Sequence, residues 1–425
     1  MTTRPTPLSL SLLTVAAWAL SLAVLSARAE LFVAALPLVL ALAALALRPS
    51  IPDYALTHEV STDRVFEGDT VTVTVSVAAR SAIPLMELLE PLPFGSRLAS
   101  GRNRAVMALS PGQTASFRYE VRWTGRGMHD LGTVIVRGRD RWGVRGWERR
   151  HVDLTRVRVY PRIAPLRSLP RPFHTQASVG DYTSHALGEG IEPGNIRQFT
   201  PGDRIRQVNW RASLRRGSLY VTQRHRERNA DVVLMLDTLA EVGVAPETTL
   251  DLGVRAAASL ATAYLARKDR VGLIVYGGLM DWVRPGSGRA QYERLAGTLL
   301  RADVVFTYVA KDLALVPPRV LSPHALVIAV TPLLDPRFTK AALDLAARGF
   351  DLIILVVSPV DVTRGMLAGS ETDDLACRLW TLERRARLDG LRRHGLAVLE
   401  WNPAEPLEPA LAGLERRRPR LAAAR

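Results

Sequence analysis

The sequence predicts a multidomain membrane protein with a transmembrane helical hairpin, an antiparallel β-sandwich and a doubly wound α/β domain, in that order. Three observations predict this architecture. Two long apolar runs lie near the amino terminus, apolar residues then alternate with polar ones, and apolar strands finally alternate with amphipathic helices. At 425 residues the chain is long enough for two or three domains.

The two apolar runs cover residues 8–27 and 31–47 and contain no charged side chain. About 20 helical residues cross the hydrocarbon core of a bilayer, so residues 1–52 are predicted to form a transmembrane hairpin in the lipid bilayer. Pro37 in the second run is compatible with a membrane helix.

Basic residues flank the predicted hairpin on one side. Arg4 precedes the first run, Arg48 follows the second, and the remainder of the chain is strongly basic. We therefore expect a multi-pass protein of the inner cell membrane with its amino terminus and soluble bulk in the cytoplasm. The alternative is a secretory signal peptide cleaved near Ala27, but the first run is long for that role and a second run follows it.

Residues 53–160 show the period of two that is typical of half-buried strands. Apolar residues alternate with polar ones at Val71, Val73, Val75 and Val77, and again at Phe117, Tyr119, Val121 and Trp123. About six short strands separated by turn residues predict an antiparallel sandwich of immunoglobulin-like type.

Residues 161–228 combine a proline-rich linker with an arginine-rich segment. The linker holds five prolines and shows almost no apolar periodicity, which indicates an extended cover over neighbouring surfaces. From Arg197 to Arg228 there are nine arginines and two acids, so a large part of the formal charge of +15 lies in this segment. Such a charge favours an acidic protein, anionic lipid or nucleic acid as partner.

Residues 229–405 predict the α/β domain, because apolar strands and amphipathic helices alternate there. Predicted strands cover residues 232–236, 271–276, 325–330, 352–357 and 396–400, and predicted helices cover residues 249–266, 291–301, 336–347 and 373–394. Residues 406–425 form a basic tail, and we expect its end, residues 415–425, to be solvated. Cys377 is the single cysteine and lies among apolar helical positions, so we expect it to be buried.

The arginine-rich segment begins with a turn and a short helix. Pro201 and Gly202 favour the turn, and Asp203 is placed to cap the helix with its carboxylate. Trp210 is expected to bury its ring and to donate its indole N–H.

This segment resembles the signature of the domain-of-unknown-function 58 family, whose members are membrane proteins with a von Willebrand factor A-like domain. The residues that carry the resemblance are Arg197, Phe199, Pro201, Gly202, Asp203, Arg204, Arg206, Trp210, Arg211, Ser213 and Arg215. Phe199, Val208 and Leu214 stand where the family usually has Tyr, Ile and Ala. Gly125-Arg126-Gly127, Leu131-Gly132 and Asp140 with Trp142-Gly143 also resemble family features.

Two interpretations of the signature remain open. In the first, carboxylates of the adjacent sheet hold Arg206 and Arg215, so the segment clasps the linker to the sheet. In the second, exposed arginines such as Arg204 and Arg211 form a docking patch for an acidic partner. The resemblance implies that this partner is a MoxR-type AAA+ ATPase, with the pair acting in protein maturation or cell-envelope assembly.

The resemblance also raises the question of a metal. Von Willebrand A domains often bind magnesium through Asp-x-Ser-x-Ser and through later Thr and Asp residues. Here Leu239 and Glu241 occupy the two serine positions. The candidate oxygen ligands are Asp237, Thr238, Glu241, Thr331 and Asp335. They make an incomplete set, and we expect no bound cofactor; metal-dependent ligand binding is the alternative function.

Catalysis and nucleic-acid binding receive little support from the sequence. It contains no phosphate-binding GK[ST] loop, no HExxH and no G-x-S-x-G motif, and its eight histidines are dispersed. The arginines are not interleaved with aromatic residues as in a nucleic-acid interface. We therefore expect a non-catalytic interaction or adaptor protein, with an enzyme of unknown class as a further alternative.

Overall fold

The computed structural model describes residues 2–26, 29–47, 52–140, 143, 145–170, 176–200, 208–229, 231–307, 312–322 and 325–413. The chain divides into two compact units, Met1–Tyr160 and Pro161–Arg425.

The first unit begins with two helices and continues with strands. Its elements in chain order are β1 (Thr2–Pro5), α1 (Pro7–Ser26), α2 (Ala29–Leu47), β2 (Tyr54–Val60), β3 (Arg64–Phe66), β4 (Thr70–Ala79), β5 (Ile83–Leu89), β6 (Ser96–Gly101), β7 (Arg104–Leu109), β8 (Thr114–Trp123), β9 (Gly127–Arg139) and β10 (Arg145–Tyr160).

Helix α1 is the one helix among the described residues that is long and apolar enough to cross a membrane. Its apolar side chains point outward, with Trp18 76% and Leu25 85% exposed. Helix α2 covers the second predicted run and contains Pro37, as expected. Thr6 begins α1, because its hydroxyl accepts from the Ser9 amide and donates to the Gly143 carbonyl oxygen at 2.6 Å.

Two sheets of the first unit enclose one apolar core. One sheet has the order β2-β4-β8-β6, and the other has the order β1-β10-β9-β5-β7 with β3 paired to β10. The alternation predicted the inner face correctly, since Val71, Val73, Val75 and Val77 are fully buried. Trp123 is also fully buried in this core.

The buried carboxylate of Glu90 links the two sheets. Glu90 Oε1 accepts from the Gly132 amide of β9 at 2.8 Å and lies 3.1 Å from His58 Nε2 of β2. Gly132 has φ +105°, and a Cβ there would lie 1.9 Å from the Asp153 carbonyl oxygen. The glycine of the predicted Leu131-Gly132 element is therefore required by this close approach.

The second unit contains a two-stranded ribbon and an α/β sheet. Its elements in chain order are β11 (Gln176–Gln198), α3 (Trp210–Arg216), β12 (Tyr220–Asn229), β13 (Asp231–Thr238), α4 (Thr249–Ala266), β14 (Arg270–Gly277), β15 (Asp281–Gly286), α5 (Arg289–Arg301), β16 (Leu326–Thr331), α6 (Pro336–Ala347), β17 (Asp351–Val357), α7 (Pro359–Arg364), α8 (Glu371–Arg393) and β18 (Ala397–Trp401).

The α/β sheet has the order β15-β14-β13-β16-β17-β18 and is parallel except for the edge strand β15. Helices α4 and α5 pack on one face and α6 and α8 on the other, each over its own apolar cluster. Every residue of β13 is buried, as its continuous apolar run predicts. Helices α4 and α6 have the predicted bounds, residues 249–266 and 336–347.

Two features differ from the sequence expectation. Strand β15 was not predicted, because Asp281–Gly286 lacks a clear alternation. Residues of the predicted linker form β11, which pairs with β12 in an antiparallel ladder with several register shifts. Such a ladder is formed by backbone hydrogen bonds, which do not require an alternation of apolar residues. The apolar pattern of the sequence therefore could not predict β11.

Candidate functional site

The signature segment forms the short helix α3, which is held by three residues: Asn209, Ser213 and Gly217. Asn209 is its N-cap, since its side-chain oxygen accepts from the Ala212 amide at 3.0 Å. Ser213 is buried, and its hydroxyl donates to the Asn209 carbonyl oxygen and accepts from the Tyr220 amide. Gly217 ends the helix with φ 71°. Ser213 therefore fixes α3 against the start of β12.

The outer face of α3 carries two large apolar side chains and three arginines. Trp210 is 61% exposed and Leu214 is 83% exposed. The expectation that Trp210 buries its ring is wrong, because the first turn of α3 directs it away from the core. Arg211 and Arg215 are exposed beside them. Arg216 is also exposed and lies over the Tyr220 ring, 5.1 Å from its centroid.

The remaining signature residues lie before α3. The Arg197 guanidinium donates to Thr200 Oγ1 and to the Gln198 carbonyl oxygen, each at 3.0 Å, and the Phe199 amide donates to the Leu219 carbonyl oxygen. Residues 201–207 lie outside the described residues. They include Pro201, Gly202, Asp203, Arg204 and Arg206. The predicted cap Asp203 therefore lies outside the described residues, and the described helix α3 begins at Trp210 with Asn209 as its cap.

The predicted contact between Arg215 and a carboxylate of the sheet is absent from the described part of the chain. Asp237 and Asp335 are the acidic side chains that follow β13 and β16, and both have other partners. Arg215 stays exposed.

Asp237 lies at the carboxyl end of the central strand, where open α/β sheets place their sites. It is 2% exposed. Its Oδ2 accepts from the Thr331 hydroxyl at 2.5 Å, and its Oδ1 accepts from the Leu239 amide at 3.0 Å. Burial raises the pKa of Asp237 to about 7, although these two hydrogen bonds oppose the rise. Asp237 therefore caps a turn at the end of β13.

Asp335 is held by an arginine that the sequence analysis missed. It is the N-cap of α6, and its carboxylate accepts from Arg337 Nε and Nη2 in a two-pronged ion pair. Arg337 Nη1 also donates to the Thr307 carbonyl oxygen at 2.7 Å. The hydrogen bonds from Arg337 lower the pKa of Asp335. An Asp-Pro pair followed by Arg was the available signal for this arrangement.

The other two candidate ligands, Thr238 and Glu241, differ in exposure. Thr238 is buried, and a Cβ on Gly277 would meet its hydroxyl at 2.1 Å. Glu241 is exposed. Among the described residues, no three His, Cys, Asp or Glu side chains gather closely enough to hold a metal ion. Cys377 is 3% exposed, as its position in the helical pattern predicts.

A sheet with helices on both faces, preceded by an exposed arginine-bearing helix, defines a class of α/β protein. Residues 195–372 match the family described as Protein of unknown function DUF58. That segment contains α3 and the sheet edge from Asp237 to Arg337. We therefore assign residues 195–372 to the DUF58 family, which confirms the resemblance stated from the signature.

Curated relatives of the chain are themselves uncharacterized. The uncharacterized protein Rv1480 of Mycobacterium tuberculosis is 28% identical over 190 residues, which cover 43% of this chain and 60% of that protein. The uncharacterized protein YeaD of Bacillus subtilis is 26% identical over 214 residues, or 49% of this chain and 53% of that protein. The matches thus span less than two thirds of these relatives.

Among solved structures, the cupredoxin domain of amoB from Nitrosocaldus yellowstonii aligns with a TM-score of 0.19 and 8% identity. The alignment covers 26% of this chain and 90% of that domain. Such a similarity carries no functional argument.

Proposed function

We propose that the protein is a membrane-anchored, non-catalytic adaptor that binds an acidic surface of a MoxR-type AAA+ ATPase. The observation that carries the proposal is the outer face of α3. We name Trp210, Arg211, Leu214 and Arg215 the docking patch.

The composition of the docking patch supports protein binding. Trp and Arg are the side chains most enriched among the residues that dominate interface affinity. Trp210 and Leu214 leave large apolar areas in water, which a partner would cover. Arg211 and Arg215 add positive charge beside them, so the matching surface is acidic and apolar. Ser213 and Asn209 hold the helix so that these side chains are presented on a fixed frame.

The sheet edge supports a role without a bound metal. Asp237 uses both carboxylate oxygens within the protein, and Asp335 uses both of its oxygens on Arg337. Magnesium binding would have to displace the Thr331 hydroxyl, the Leu239 amide and the Arg337 guanidinium. A site whose oxygens are already bound internally favours a structural role over ligand capture.

The proposal also includes the fold type of each unit and the cellular location of the protein. We infer that the α/β sheet is of von Willebrand factor A-like type and that the two β-sheets form an immunoglobulin-like sandwich. Helices α1 and α2 would both cross the inner membrane, which leaves the soluble bulk in the cytoplasm where an ATP-driven partner works. The complex would act in maturation of other proteins or in cell-envelope assembly.

The experiment is an affinity purification from membranes of the full chain, with Trp210→Ala as the test and Lys340→Glu as the control. Lys340 is an exposed cation on α6 and does not belong to the docking patch. We expect the wild type and Lys340→Glu to retain a MoxR-type ATPase and Trp210→Ala to lose most of it. Equal recovery of the ATPase with all three proteins would refute the docking patch, and its absence from all three would refute the partner.

A further inference from the structure

Helix α8 has two opposite faces, and only one of them contacts the sheet. Leu388 and Leu391 are buried in the apolar cluster on that face of the sheet, and Arg384 donates to the Pro332 carbonyl oxygen after β16; Cys377 is buried on the same side of the helix. On the opposite face Leu375, Leu379 and Leu382 are 58%, 60% and 60% exposed. Three large apolar side chains on one exposed helical stripe are unusual for a protein surface.

The exposed leucines have the spacing of a coiled-coil seam. Leu375, Leu379, Leu382 and the exposed Ala386 follow one another at steps of four, three and four residues. That is the a/d pattern with which two helices pack along each other. We name these four residues the α8 seam.

Charges beside the α8 seam fit a second copy of the same helix. Arg378 lies on one flank of the seam and Glu383 on the other. When two such helices pack in parallel, a residue on the Arg378 flank of one helix lies opposite the residue five positions later, on the other flank, in the second helix. Arg378 of one copy would therefore face Glu383 of the other, and twofold symmetry would form this ion pair twice.

The same charges argue against the antiparallel arrangement. An antiparallel pair centred on the α8 seam brings equal flanks together, so Arg378 would face Arg385 of the other helix. Both side chains are exposed cations, and the contact would be repulsive. Glu383 now pairs with Arg387 at 2.9 Å, an exposed contact that is weak enough to be exchanged.

We propose that the α8 seam is a self-association surface that joins two copies of this chain as a parallel twofold dimer. The seam is only two heptads long. Anchoring both copies in one membrane, as the proposed function requires, would raise their effective concentration and favour the contact.

Cysteine cross-linking of the full chain in membranes tests the dimer. In a Cys377→Ala background, Leu379→Cys and Leu382→Cys place a thiol in the seam, and Arg387→Cys places one on the exposed surface outside it. We expect an oxidant to convert both seam variants into a disulfide-linked dimer at least about fivefold more efficiently than Arg387→Cys. Equal cross-linking of all three positions, or cross-linking of none, would overturn the proposal.

A charge exchange tests the direction of the helices and separates dimer loss from misfolding. Arg378→Glu and Glu383→Arg, each added to Leu382→Cys, should reduce dimer formation, and the two together should restore it. Restoration requires folded protein and a contact between these two positions in different copies. Failure of the double variant to recover would refute the parallel pairing, as would preferred cross-links between co-expressed Leu375→Cys and Ala386→Cys chains. Because the docking patch is untouched, ATPase recovery should be the same in all these variants.

Discussion

The Thr331 hydroxyl donates to Asp237 Oδ2 at 2.5 Å and joins the carboxyl ends of the neighbouring strands β16 and β13. Thr331 accepts in turn from the Leu333 amide at 2.8 Å. The carboxyl group is almost fully buried, which raises its pKa to about 7. Asp237 occupies the position of a possible metal ligand, but it links the ends of two neighbouring strands instead. We call this contact the strand-end brace.

The raised pKa of Asp237 predicts a pH-dependent stability. The folded state keeps a proton that the unfolded chain releases above its ordinary pKa of 3.8, so stability falls as pH rises from about 4 to about 7. Asp237→Asn stays neutral and should remove this dependence. At about 1.4 kcal/mol per pKa unit, the wild type should lose up to about 4 kcal/mol relative to the variant across this window.

Thermal unfolding of both proteins at the two ends of the pH range checks this expectation. Asp335→Asn provides the control, because the pKa of Asp335 is lowered below its ordinary 3.8 and its contribution is lost only as pH falls below about 4; between pH 4 and pH 7 its profile should follow that of the wild type. Parallel pH profiles for the wild type and Asp237→Asn would contradict the account of the brace.

Magnesium should leave the thermal stability of the protein unchanged. Asp237 and Asp335 are engaged by Thr331 and Arg337, and a divalent cation would have to break both contacts. A magnesium titration followed by thermal shift measures the effect. A saturable stabilisation that disappears in Asp237→Ala would instead establish the metal-dependent alternative.

Loss of the cap of α3 should loosen the docking patch without unfolding the protein. Asn209→Ala removes the acceptor of the Ala212 amide, and such a change costs about 1 kcal/mol. Hydrogen exchange should therefore become roughly fivefold faster for the amides of α3. Arg211→Ala changes an exposed side chain of the same helix and should leave the exchange rates as they are; equal rates in Asn209→Ala and the wild type would show that Asn209 does not cap α3.

Removal of the buried carboxylate between the two β-sheets should be costly. Glu90→Ala leaves the Gly132 amide without its acceptor and His58 without its partner, which should destabilise the first unit by about 3 kcal/mol or more. Glu148→Ala breaks the exposed pair with Arg137 and should cost less than about 1 kcal/mol. Chemical denaturation of the two variants gives the comparison, and equal losses would count against the role of Glu90.

Local patterns in the sequence predicted many of the strands and helices. The alternation at Val71–Val77 identified the inner face of a strand, and the apolar stripe with Asp251 in its first turn identified α4. The candidate site was harder to predict because its decisive contacts are not local. The Thr331 hydroxyl reaches Asp237 from 94 positions along the chain. Helix α3 is held by the Tyr220 amide, which donates to the Ser213 hydroxyl from the next strand.

The exposure of Trp210 could not be read from its residue type, since tryptophan is buried in most contexts and exposed at binding surfaces. Its direction depends on which face of α3 meets β12. The ion pair between Arg337 and Asp335 could not be predicted from the sequence either. A side chain in the first turn of α6 can also point to solvent.

The affinity of the full chain for a MoxR-type AAA+ ATPase of the same genome tests the central claim most directly. We predict a dissociation constant that rises with salt and that increases at least about tenfold in Arg211→Glu, because the docking patch would lose a charge contact at its centre. Lys340→Glu changes the net charge equally and should bind as the wild type does. Identical affinities for the wild type, Arg211→Glu and Lys340→Glu would show that α3 does not bind the ATPase.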